Sequence, residues 1–74
     1  MLGSVPASSD LAELTTLRSQ LEDLAHRVEA VAQRYQDTSD SQVATDLFSA
    51  ERMIVGARRS VDKAIGALEG LARS

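Results

Sequence analysis

The chain has 74 residues, a formal net charge of −3 and no cysteine, so it forms one domain at most and contains neither disulfides nor a thiolate metal site. Below roughly 70–80 residues, one hydrophobic core rarely stabilises a fold alone, which favours association with another chain. The negative charge disfavours a protein whose main task is to neutralise nucleic-acid phosphates.

The bulk sequence also predicts where the protein is found. No run of about 18 apolar residues exists, so we expect no membrane span. The N-terminus lacks the basic start and apolar core of a signal peptide, and we therefore expect a cytoplasmic protein. Arginine outnumbers lysine and alanine is abundant, which is typical of a GC-rich bacterial genome.

The first predicted element follows a short polar segment. Residues 1–9 are mostly small and contain the single proline, so we predict a flexible N-terminal lead-in. Asp10 followed by Glu13 has the spacing of a helix capping box. Apolar residues then alternate spacings of three and four, an a/d heptad pattern that predicts a helix over about residues 10–36. Its apolar row consists of Leu14, Leu17, Leu21, Leu24, Val28, Val31 and Tyr35.

A turn and a second helix complete the chain. Residues 37–41 all favour turns and caps, and Ser39 with Gln42 fits another capping box. A second regular heptad pattern predicts a helix over about residues 42–72. Its large residues are Leu47, Ile54, Val61 and Leu68, and a row of small residues runs beside them at Ala50, Ala57 and Ala64.

The two helices are predicted to fold back on each other. If the chain reverses at Ser39, apolar residues meet in pairs whose numbers sum to 81 or 82, from Tyr35 against Leu47 to Leu11 against Leu71. The even closure and the short connection predict an all-α, coiled-coil-like antiparallel two-helix hairpin over residues 10–74. Because one hairpin covers little of its apolar surface, we expect pairing into a four-helix bundle.

One edge beside this heptad seam is more apolar than a hairpin requires. It indicates an interface with a second copy of the chain, as a homodimer, or with a partner protein. The alternative is that these are scattered surface apolar residues, which are common. The predicted interface residues are Leu11, Ala25, Ala32, Phe48, Val55 and Ile65.

No arrangement of residues predicts an enzyme, a metal site or a cofactor. The single histidine, His26, falls on the outward face of its helix between Glu22 and Glu29. A metal-ligand role is one interpretation, but such a residue is far more often simply solvated. We therefore expect a non-enzymatic helical-hairpin module that binds proteins.

A basic cluster supplies the alternative function. Arg52, Arg58, Arg59 and Lys63 follow one another over about three helical turns. They fit a regulator that binds an anionic ligand or a nucleotide, although ordinary solvated charge is the simpler explanation and the one we favour. No aromatic residue interleaves with them for bases to stack on, so nucleic acid is disfavoured.

Overall fold

The computed structural model describes the backbone of residues 7–73 and the side chains of residues 8–71. It contains two helices, α1 (Ala7–Tyr35) and α2 (Ser41–Arg73), which pack against each other in a molecule of 60 × 17 × 14 Å. The prediction of an all-helical hairpin of two helices is confirmed. Residues 7–9, assigned to the lead-in from the sequence, belong to α1, and residues 1–6 lie outside the described residues.

The end of α1 is set by the residues of the turn. Asp37 has a φ of 62°, in the left-handed region that aspartate tolerates better than most residues. The N–H of Thr38 donates to the carbonyl of Tyr35 at 3.3 Å, and its hydroxyl donates to the same carbonyl at 2.6 Å. Two donors therefore satisfy one of the carbonyl groups that a helix leaves unpaired at its C-terminus.

The start of α2 differs in detail from the prediction. The N–H of Asp40 donates to the Thr38 hydroxyl at 3.1 Å, and the N–H of Val43 donates to the carbonyl of Asp40 at 2.9 Å. Asp40, directly before the first helical residue, thus occupies the capping position that was predicted for Ser39. The side chain of Gln42 points forward along the helix and donates to Asp46 at 2.9 Å, which replaces the predicted capping box.

Small residues line the contact between the helices. Ala25, Ala32 and Ala44 are buried, and Ala32 is completely inaccessible at 0% exposure. Without atoms beyond Cβ, these residues let two helices approach closely. Ile65, at 7%, is the one large side chain among the buried residues of the described chain. The core of the hairpin is therefore narrow.

The helices are rotated about their axes relative to the heptad pairing. Leu17 and Leu24 belong to the predicted seam, yet they are 38% and 43% exposed. Ala25 and Ala32, which the sequence placed on the outer edge, are buried instead. The apolar stripe of each helix is wider than one neighbouring helix can cover, and the alanine row permits the closer approach. The heptad row consequently faces sideways and is only partly covered.

The register along the helices stays close to the prediction. The two interhelical ion pairs, Arg18 with Asp62 and Arg58 with Glu22, each join residues whose numbers sum to 80. The heptad pairing gave 81 or 82, a difference of one or two residues. The structure therefore differs from the sequence-based pairing mainly in the rotation of each helix about its own axis. The position of one helix along the other differs by only one or two residues.

Candidate interaction surface

One side of the hairpin carries an uncovered apolar surface, here named the open face. Because the helices are antiparallel and advance about 100° per residue, the partly covered heptad rows of both helices lie on the same side. Tyr35, Val43 and Met53 on this side are 38%, 40% and 68% exposed. The open face comprises Leu17, Leu24, Val31 and Tyr35 of α1, with Val43, Ala50, Met53, Ala57 and Ala64 of α2.

A shallow groove lies between the helices on the open face. Its volume is about 280 Å³, and four of its five lining residues are apolar. Leu24, Val28 and Val31 come from α1 and Leu47 from α2, with Arg27 at the rim. Concave apolar surfaces of this kind accept the side chains of a second helix. The groove therefore provides an anchoring point on the open face.

The open face extends over part of the hairpin. From Leu17 to Tyr35 it follows about 27 Å of helix, at a rise of about 1.5 Å per residue. Across the 17 Å width of the molecule this corresponds to roughly 460 Å². Apolar patches of about 300–600 Å² on a protein surface are often functional.

The opposite side of the contact carries a network of four charges, here named the charged edge. Arg18 donates to one oxygen of Asp62 at 2.8 Å, and Arg58 donates to the other at 3.1 Å. Arg58 also lies 3.9 Å from Glu22. These side chains are about a third to a half exposed, so solvent screens each pair. Their alternating signs nevertheless favour the rotation that brings them together.

The hydrogen bond to Asp62 has a further electrostatic effect on Arg18. It raises the pKa of the guanidinium above its ordinary value, aided by the negative charges of Asp62, Glu22 and Glu69, while desolvation by burial acts in the opposite direction. An arginine guanidinium is protonated throughout the physiological range, so Arg18 contributes a constant positive charge to the charged edge.

The predicted interface residues do not form one surface. Ala25, Ala32 and Ile65 are buried by the other helix of their own chain. Their placement on an outer edge was therefore wrong, because that edge is the actual contact between the helices. Leu11, Phe48 and Val55 are half-buried, and their contact with another chain stays a prediction.

A second, smaller cleft lies along the charged edge. Its volume is about 190 Å³, and its lining includes Val55, His26 and Glu51 together with Glu22 and Arg58. His26 itself is exposed, in agreement with the outward position given by the sequence. Among the residues whose side chains are described, no group of three or more acidic or histidine side chains has the arrangement of a metal site.

The basic cluster is divided between two sides of α2. Arg58 is half-buried and contacts Asp62 and Glu22, so its charge is balanced within the hairpin. Arg52, Arg59 and Lys63 are exposed, and no ion pair among the described residues involves them. The four cations therefore do not converge on one point where an anion would bind.

Sequence reasoning missed the exposure of Leu17 and Leu24, although a signal for it was present. Ala25 and Ala32 stand seven residues apart, directly beside the heptad row of α1. A second row of this kind widens the apolar stripe beyond the a/d seam of a simple two-helix contact. Such width indicates a helix with two neighbours, one on each side of the stripe.

Comparison with known proteins supplies no relative. No family model matches the chain, and neither the curated proteins nor the solved structures contain a significant match. Within residues 7–73, neither helix has an apolar stretch long enough to cross a bilayer.

Proposed function

We propose that this chain is a non-enzymatic protein–protein interaction module, a helical hairpin that packs its open face against other helices and so completes a four-helix bundle. The observation that carries the proposal is the exposure of Leu17, Leu24 and Met53 on one side of the hairpin. Contiguous apolar surfaces of this kind usually mark an interaction site. Recognition would occur by side chains of one helix entering the groove between two others.

The thinness of the hairpin core supports the same proposal. Ile65 is the single large side chain buried between the helices in the described chain. A domain of this size rarely gains more than about 3–5 kcal/mol from its own core. Covering the open face would remove further apolar area from water and stabilise the folded chain by mass action. Folding and binding would then be linked, and the bound form would be the stable one.

Three parts of the proposal rest on the sequence pattern. The bacterial source, the cytoplasmic location and the dimer or partner complex follow from composition and heptad periodicity. The alternative function, binding of an anionic ligand at Arg52, Arg59 and Lys63, has less support because Arg58 is already paired with two carboxylates. We therefore prefer the protein interaction.

Sedimentation equilibrium combined with circular dichroism tests the proposal. We expect the mean mass of the purified chain to exceed that of one chain as concentration rises, with helicity and thermal stability rising in parallel. A fully helical monomer whose stability does not depend on concentration would show that the hairpin is complete alone, and the proposal would fail.

Two matched variants locate the surface. Leu24→Asp places a charge on the open face, and Val55→Asp places the same charge at the half-buried charged edge. We expect Leu24→Asp to lower the assembled mass far more than Val55→Asp. The reverse result would move the interaction to the Phe48 and Val55 side and would contradict the role of the open face.

A further inference from the structure

We infer that the occupant of the open face is a second copy of this chain, related by a two-fold axis parallel to the long axis of the hairpin. This inference rests on the proposed function and adds the identity of the partner, the orientation and the register. In the dimer, α1 of each copy lies antiparallel on α2 of the other, and both turns lie at the same end of a four-helix bundle.

Two rows of residues on the open face have the same spacing. α1 presents Leu17, Leu24 and Val31, which are large and spaced by seven residues. α2 presents a row of small residues with the same spacing, at Ala50, Ala57 and Ala64. Ala57 and Ala64 are exposed, and Leu17 and Leu24 are more than a third exposed. α1 therefore presents a ridge of large side chains. α2 presents a shallow groove over its alanines, here named the alanine track, with the same spacing of seven residues.

The rows also stand at equal heights. The ion pairs of the charged edge join residues whose numbers sum to 80, so Leu24 of α1 is level with Ala57 of α2 to within one residue. A rotation about the long axis of the hairpin keeps every residue at its height. It therefore places Leu24 of one copy over Ala57 of the other, and it does so at both symmetric contacts. The interface is self-complementary, as a closed two-fold dimer requires.

The other face-to-face arrangement fits less well. A two-fold axis across the hairpin would place α1 on α1 and α2 on α2, with the turns at opposite ends. Leucine would then face leucine on one side, while alanine faces alanine on the other. Interiors that alternate large and small side chains fill space evenly, whereas this arrangement forces one helix pair apart and leaves a gap at the other.

Charge agrees with a second copy. Arg34 and Asp46 are exposed, and their numbers also sum to 80, so the rotation brings Arg34 of each copy level with Asp46 of the other along the rim. A second copy supplies an apolar surface of matching length and width.

Disulfide crosslinking tests the register directly, because the chain has no cysteine of its own. Leu24→Cys and Ala57→Cys are prepared as separate chains, one with a larger tag, and are mixed and mildly oxidised. We expect the mixed disulfide to form in preference to either homodisulfide. Leu17→Cys with Ala64→Cys provides a second pair if one variant is poorly helical. Leu24→Cys with Lys63→Cys, which is exposed on the outer side of α2, is the control.

Each outcome has a definite meaning. Predominance of the Leu24→Cys homodisulfide would place α1 on α1 and overturn the inferred axis. A second outcome is that the mixed disulfide is no more abundant than in the control pair, although the chain still sediments as an assembly. This result would overturn the second-copy geometry and leave the proposed function intact. A stable monomer in sedimentation would overturn both.

A size exchange gives an independent measurement. We expect Leu24→Ala to raise the dimer dissociation constant roughly tenfold or more, since two leucine side chains leave the interface of each dimer. Ala57→Leu should weaken the dimer by overfilling the track, and the double variant Leu24→Ala with Ala57→Leu should recover part of the affinity. Additive losses in the double variant would contradict contact between these two positions.

Discussion

Replacement of Ala32 by leucine is the sharpest test of the way the helices are rotated. Ala32 is 0% exposed and lies in the contact between α1 and α2. If the heptad seam were the true contact, this position would lie on an outer edge and a leucine would be tolerated. The structure therefore predicts a large penalty where the heptad pattern alone predicts almost none.

The magnitude follows from the lack of space. Leucine adds three carbon atoms at a site with no accessible surface, and overfilling a packed contact typically costs about 1–3 kcal/mol. The helices can relieve the clash by moving apart, but this exposes Ala25 and Ile65, which are now buried. For a domain of this size, a loss of about 2 kcal/mol lowers Tm by about 8–16 °C.

Thermal and urea unfolding followed by circular dichroism measure the effect at one fixed protein concentration. Ala30→Leu is the matched control, because Ala30 is an exposed alanine on the same helix. We expect the control to stay within about 0.5 kcal/mol of the parent chain. Equal stability of the two variants, or a more stable Ala32→Leu, would refute the observed rotation and favour the heptad seam.

Three smaller substitutions test other features of the hairpin. Gly56→Ala should stabilise the chain by about 1 kcal/mol, because a Cβ at this helical position meets nothing within 4 Å; a lower Tm would contradict the open surroundings. Asp62→Asn should lower Tm more than Asp23→Asn, whose more exposed partner Arg27 is 3.5 Å away. The difference should shrink in 1 M salt, where charges are screened beyond about 3 Å, and its persistence would argue against an electrostatic origin. Asp37→Gly should raise Tm by a few degrees, since glycine adopts the φ of 62° without strain. An unchanged Tm would show that the backbone of Asp37 is not strained.

The sequence predicted the number of helices, their approximate ends and their antiparallel arrangement. These features depend on local causes, namely apolar periodicity, turn-forming residues and the short connection between two runs of similar length. Their register also depends mainly on the length of the turn, so the height of Leu24 relative to Ala57 was within reach of the sequence. The capping residue was misplaced by one position, because Ser39 and Asp40 have similar capping preferences.

The rotation of each helix about its own axis was decided only by the tertiary structure. On α1, leucines and alanines together form a stripe wider than α2 can cover, so several rotations bury comparable apolar area. Close approach at Ala25 and Ala32 and the pairing of Arg18 with Asp62 select one of them. Both depend on how one helix meets the other, as in the Arg18–Asp62 pair, which joins residues 44 positions apart, and no local sequence pattern specifies this. The rotation that is adopted leaves Leu17 and Leu24 uncovered, and these uncovered side chains form the centre of the open face.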